Sequence, residues 1–382
     1  MGVETKTGAA TGGEGGAQQG SAVYSYMDAA RSLLAATVVF AHAWHLVIAD
    51  YEGQAPIWAR IGYFVAGFSH AAVILFFVLS GYWIARSVEQ RLDQGWTWRS
   101  YLSGRLSRIW IVLIPALLIG GALDMIGTFW LQTPTHLGLT NTYVLRTDVA
   151  ANLAWPVWIG NLFFLQDTIV HPLGTNGPLW SLAWEWWFYL WYPALILLWK
   201  TRRPAPVLLT MAVFFWYPAM LLGFVCWLLG VLVRVIERKG IAQALLNRRS
   251  TLAVTAAVSL AVLAWARLAP VLGWEFPVAV AFAAFLAALL AVRPRFPDLL
   301  EPLANFGRRA SFSLYVTHFP VLAMIAGIEV GAARVPPTLT SLLFAGLAFM
   351  AAVFFAYGFS MVTEANTGRL RQWLQARRRA ST

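Results

Sequence analysis

A chain of 382 residues that is 59% hydrophobic and only 12% charged is not composed like an ordinary soluble enzyme. Average domains carry about 25% charged residues, and long uncharged apolar runs read as membrane spans. The formal net charge of +11 does not point to a nucleic acid, because Arg and Lys gather in short loops between apolar runs, as cytoplasmic loops do. The single cysteine, Cys226, excludes an intramolecular disulfide and any multi-cysteine metal or redox motif.

Residues 1–22 are rich in Gly, Ala, Thr and Gln and lack a basic start followed by an apolar core. They are expected to form a flexible cytoplasmic tail, not a signal peptide. The predicted fold is all-α, a polytopic bundle of about ten transmembrane helices in a lipid bilayer, with both termini cytoplasmic. A membrane domain over 23–365 precedes a basic cytoplasmic tail over 366–382.

Span one, about 27–49, carries Asp28 and Arg31 at its entry and His42 deep inside. Arg31 and His42 are eleven residues apart, about three helical turns and roughly 16 Å, so they lie on nearly one face. Ionisable groups inside a membrane helix are expensive and mark protein-lined polar sites, although a neighbouring helix can also satisfy a lone histidine. Span two, about 63–85, ends in Phe76-Phe77-Val78-Leu79-Ser80-Gly81, where Ser-Gly permits close backbone approach and offers a hydroxyl.

Five arginines between Arg86 and Arg108 mark the next loop as cytoplasmic. Arg105 and Arg108 then share a face at the start of span three, about 106–130. From charge alone they are membrane anchors; for a phosphorylated cofactor they are a fork suited to its oxygens. Residues 131–177, with one Arg, are placed outside. Within them 152–166 is apolar but too short to cross comfortably, and His136 and His171 are expected in solvated roles.

Span four, Pro178 to Trp199, packs five tryptophans around Glu185 in its stretch Pro178 to Pro193. Trp180 and Trp184 there suit either an interfacial belt or a sugar-binding groove. Residues 207–236 start and end beside basic loops, so they must cross twice or not at all, and a break at Trp216-Tyr217-Pro218 predicts two short tilted helices. Spans seven (about 251–269) and eight (about 274–292) follow. Span nine (about 311–333) places His318 and Tyr315 on one face, and span ten (about 338–362) leads to Glu364, read as a screened ion pair beside the basic tail. His70 has no recognisable partner. No His/Asp/Glu spacing fits zinc, so no metal is expected. No internal repeat of the transporter kind is visible.

In this order, Asp28-x2-Arg31-x10-His42, FFVLSG at 76–81, the Arg105/Arg108 pair, WSLAWEWWFY at 180–189 and SLYVTHFP at 313–320 resemble the motifs of the integral-membrane acyltransferase family 3, over roughly residues 24–365. The resemblance implies an O-acyltransferase that takes acetyl or another short acyl group from cytoplasmic acyl-CoA to a hydroxyl of an extracytoplasmic or lipid-linked glycan. It implies His42 as general base, a task that suits imidazole. If a carboxylate orients that ring, Glu185 is the better placed by depth, Asp28 being too far along the helix.

Arg31, Arg105, Arg108 and Ser80 would hold the acyl-CoA, with Arg31 counted as catalytic or paired to Asp28 as support. His318, Tyr315, Trp180 and Trp184 would shape the acyl or acceptor end. A glycan or glycolipid acceptor, polysaccharide-assembly proteins and the inner, cytoplasmic membrane complete the expectation. Two other classes remain open: a secondary transporter of a sugar or acyl compound, which would bind acyl-CoA without consuming it, and a non-catalytic scaffold indifferent to His42→Ala.

Overall fold

In the computed structural model, residues 12–202, 206–213 and 217–370 are described, and no β-strand occurs among them. The helices in chain order are α1 Gly12–Val47, α2 Ile57–Ala66, α3 Ser69–Asp93, α4 Trp98–Met125 and α5 Trp155–Leu162. They continue with α6 Trp180–Thr201, α7 Leu209–Val213, α8 Pro218–Arg238, α9 Ile241–Leu246 and α10 Arg249–Leu268. The last four are α11 Glu275–Val292, α12 Glu301–Arg309, α13 Ser311–Glu329 and α14 Leu339–Val362. Eight helices among the described residues are long and apolar enough to cross a membrane. The 22-residue α6 has the length as well, but its Trp, Tyr and Glu dilute its hydropathy. The chain is thus an all-α polytopic membrane bundle.

Most predicted spans are found as helices, with local differences. Span two is split by Gly67-Phe68 into α2 and α3, and α4 runs on through a π-helical turn, Ile126–Trp130. Residues 207–236 are not two matched short helices. Pro218 occupies the first turn of a single 21-residue helix, α8, where its missing N–H costs nothing. Only the short segment 206–213 precedes it.

Phe188 packs on Phe224 and Tyr192 on Trp227, so α6 and α8 point the same way. Between them, the described segment 206–213 lies against α6. The Trp191 indole donating to Thr210 Oγ1 at 2.9 Å marks its path, and Tyr217 bonds the Thr168 carbonyl at 2.6 Å beyond it. Helix α5 has eight residues, too few to span.

Three apolar clusters join the helices. One gathers α3, α6, α8 and α11 around Phe188 and Trp227. A second binds α1 to α13 and α14, and a third binds α4 to α6 and α13. Close approach is set by glycine at two places. A methyl group on Gly81 would collide with the Trp227 carbonyl, and one on Gly230 with the Val78 carbonyl, so α3 and α8 meet backbone to backbone. Gly307 brings α12 against the Asp28 carbonyl of α1, and Ser32 Oγ donates to the Leu303 carbonyl at 2.6 Å in the same seam.

At the far end of α1, Arg334 is 7% exposed. It bonds Asp50 through both terminal nitrogens at 2.8 and 2.6 Å and reaches the Ile48 and Thr140 carbonyls at 3.2 Å each. That hydrogen bond is the first cause holding the Asp50 carboxyl below the usual carboxylate range.

Gly230→Ala is expected to force α3 and α8 apart and to cost about 1–3 kcal/mol, as overpacking generally does; thermal unfolding in detergent reads the loss. Asp50→Asn should cost less than about 1 kcal/mol, because the carboxylate is more than half exposed. A depressed carboxyl pKa stabilises above the unfolded value and loses that contribution as pH falls through the folded one. The gap between Asp50→Asn and the parent should therefore be present at pH 7 and close below about pH 4.

Candidate functional site

The sequence placed its polar groups on α1, and neighbouring helices answer Asp28, Ser32 and His42. At the first of these positions Asp28 lies 4.0 Å from Arg31 and 3.5 Å from Arg308 of α12. Arg308 also bonds Glu301 and Asn305, both at 2.6 Å. This end of α1 opens on a cavity of about 590 Å³ between α1, α3, α4, α6, α12 and α13. Arg31, Arg86, Arg105, Arg108 and Arg308 line it, against only two carboxylates, Asp28 and Glu185. Five guanidiniums facing two carboxylates leave a surplus of positive charge. Phe76, Phe77, Leu79, Ile109 and Phe312 supply an apolar wall.

Arg105 and Arg108 meet the expectation of a shared face, and both line the cavity. Arg105 bonds Ser87 Oγ and lies over the Tyr101 ring at 5.7 Å. Its Nε is buried with no partner. Arg108 is exposed and has no ion-pair partner among the described residues.

Ser80 also lines the cavity, but its hydroxyl is already engaged. The Trp227 indole donates to Ser80 Oγ at 3.2 Å, Ser80 lies 3.3 Å from the Tyr189 hydroxyl, and Tyr189 donates to Glu185 Oε1 at 2.7 Å. With Tyr189 donating to the carboxylate, the series runs in one direction and fixes Glu185. Glu185 therefore sits in the cavity wall, held by Tyr189, and makes no contact with His42, contrary to the depth argument. Helical rise gave its height correctly but not the side of the bundle it faces.

His42 lies three turns beyond Arg31 and is half-buried. Its Nδ1 is 2.8 Å from His318 Nε2, the two rings meet edge to edge with centroids 5.1 Å apart and planes 10° from parallel, and Phe319 meets His42 in a T-shaped contact at 5.0 Å. His318 is fully buried. Its Nδ1 lies 2.8 Å from the Tyr315 carbonyl and 3.1 Å from the Leu314 carbonyl of its own helix. Neither histidine is part of the cavity lining. Tyr315 is, with its ring 6.0 Å from His318 and its hydroxyl 2.5 Å from Ser181 Oγ and 3.1 Å from the Pro178 carbonyl. Tyr315 thus adjoins both the arginine-lined cavity and the histidine pair.

Trp180 and Trp184 do not line the cavity. Trp184 is 8% exposed and packs on Trp180 and Phe77, while Trp180 stacks on His70 at 5.8 Å. His70, expected to lack a partner, also lies 3.5 Å from Glu275. His136, expected in solvent, is 2% exposed. It bonds Thr133 Oγ1 at 2.6 Å and lies 3.3 Å from Asp124, out of line for a hydrogen bond. Asp124 in turn accepts from the Thr175 amide and hydroxyl at 2.8 Å each. The outer segment folds inward there because Gly127 and Gly174 leave room for the two side chains. Glu364, expected as a screened ion pair, accepts from the Ser313 amide at 3.2 Å and hydroxyl at 3.0 Å. It caps the first turn of α13, the helix that carries His318.

Sequence reasoning missed Arg86, Arg308 and Tyr189. The first two had been absorbed into the positive loop charge. Tyr189 carried a legible signal, since it follows Glu185 by four residues and so shares its helical face.

The family model described as an acyltransferase domain matches residues 24–361. No curated protein and no solved structure matches the chain. The match covers all the cavity-lining residues and both histidines, and the chain belongs to the acyltransferase family 3, as a membrane acyltransferase.

Proposed function

We propose that the protein transfers an acetyl or other short acyl group from cytoplasmic acyl-CoA to a hydroxyl of an extracytoplasmic or lipid-linked glycan, in the inner, cytoplasmic membrane. One observation carries the reading: five arginines converge on a cavity at one end of the helix that holds His42 about three turns further in. Guanidinium groups are matched to phosphate oxygens in charge and geometry. Arg105, with its unpartnered Nε, and Arg108, without a counter-ion among the described residues, are the pair freest to bind them. Arg31 and Arg308 are shared with Asp28 and hold the cavity's shape.

With the donor's phosphates at the arginines, its slender pantetheine arm runs past Tyr315 towards His42. Glu185 is a fixed acceptor in that wall and suits the amide N–H groups of such an arm. Ser80 then supports Glu185 through Tyr189 and does not touch the donor.

At the thioester, His42 accepts the proton of the acceptor hydroxyl as its oxygen attacks the acyl carbon. The new C–O bond forms, the C–S bond breaks, and the proton passes to the leaving CoA thiolate. The acceptor reaches His42 from the end of the bundle opposite the arginines, where residues 131–177 lie. Envelope polysaccharide-assembly proteins are the partners that would deliver it.

CoA release from acetyl-CoA by the protein in lipid, with envelope glycans as acceptors, tests this. His42→Ala should abolish turnover, a loss of about 10²-fold or more. Arg105→Ala and Arg108→Ala should each raise the KM for acyl-CoA about tenfold, the equivalent of one charge-assisted hydrogen bond, with kcat little changed. Acyl-CoA binding without consumption by the wild type would favour a transporter instead.

A further inference from the structure

We infer that His318 is a positioning residue that fixes His42 in the tautomer with its proton on Nδ1, leaving Nε2 as the basic nitrogen. The inference deepens the acyl-transfer reading and rests on it. A backbone carbonyl can only accept, and His318 Nδ1 faces two of them, at 2.8 and 3.1 Å. That nitrogen therefore carries the hydrogen. No carboxylate among the described residues contacts either ring, and a charge on a fully buried side chain without a partner is costly. His318 is then neutral and its Nε2 is a bare acceptor.

The 2.8 Å contact with His42 Nδ1 needs one hydrogen between the two nitrogens. Since His318 cannot supply it, His42 does. A neutral His42 with Nδ1–H has its lone pair on Nε2, the nitrogen on the other side of the ring. The sense of the bond thus runs from His42 to His318 to the backbone of α13, and the end of the series is anchored in a helix that cannot reorient.

The same arrangement acts during turnover. When His42 takes a proton on Nε2 it becomes an imidazolium with both nitrogens protonated, and its Nδ1–H still points at a neutral acceptor. The near-coplanar rings, 10° from parallel, and the edge-on Phe319 hold that geometry. His318 supplies a lone pair where many hydrolytic sites use a carboxylate.

Two readouts test this in the full chain in lipid. Ring nitrogen NMR of histidine-labelled protein, assigned by His42→Ala and His318→Phe, should show His42 protonated at Nδ1 and bare at Nε2. His318→Phe should release that preference and lower kcat about 10²-fold, with the KM for acyl-CoA within twofold. His318→Gln, whose amide oxygen can stand near the lost Nε2, should recover at least tenfold of that kcat. A wild-type His42 with its proton on Nε2, a His318→Phe variant with full kcat, or a folded His318→Gln no better than His318→Phe would each overturn the inference. Should His318→Phe not fold, the wild-type tautomer and the His318→Gln kcat decide. Undiminished turnover by His42→Ala would instead overturn the acyl-transfer reading, whatever the tautomer.

Discussion

The polar groups that α1 carries into the bundle must be met within the protein, for the most part by other helices, because hydrocarbon offers no partner. That constraint organises the molecule. Asp28 is shared by Arg31 and by Arg308 of α12, Ser32 bonds the α12 backbone, His42 bonds His318 of α13, and Arg334 gathers the carbonyls at the far end of α1. Helices α12 and α13 are thus placed by the polar residues of α1 as much as by apolar packing. Gly307 is the residue that lets α12 come close enough to do so.

The two regions of the candidate site are separated along α1 by the same logic. Charge accumulates where the arginines of four helices can face a shared aqueous volume, and it is absent around the histidine pair, which is closed by Phe319 and by the backbone of α13. Tyr315 is common to both. Its hydroxyl is tied to Ser181 and Pro178, so the boundary between the wet and dry parts has a fixed wall.

The membrane bundle was legible because helix length and apolar runs are local properties. That Arg31, Arg105 and Arg108 belong to one site was implied by the family resemblance, and the cavity does gather all three. Partner identity was less accessible. Helical periodicity gives the height of Glu185 and the face of His318, but only the packing of α1 against α13 decides that His318, and not Glu185, meets His42. The tryptophans around Glu185 were ambiguous in sequence for a related reason. Indole serves equally as groove lining or as core, and Trp184 is core here because Gly223 lets α8 approach its ring. His136 was misread because residues that look like a solvated loop can be drawn inward by one buried carboxylate, Asp124.

That inward pull has a consequence for how the segment 131–177 meets other molecules. Besides Asp124 and His136, Asn176 bonds the Val316 carbonyl at 2.9 Å, Thr142 the His45 carbonyl at 2.8 Å, and Gln166 the Leu179 carbonyl at 3.0 Å. A long connection tied at this many points has given up its conformational freedom during folding. A molecule docking on it meets a finished relief and forfeits little ordering entropy. Selectivity at that face is then a property of the side chains it displays, and altering it calls for substitutions on the relief, not for a longer or shorter loop.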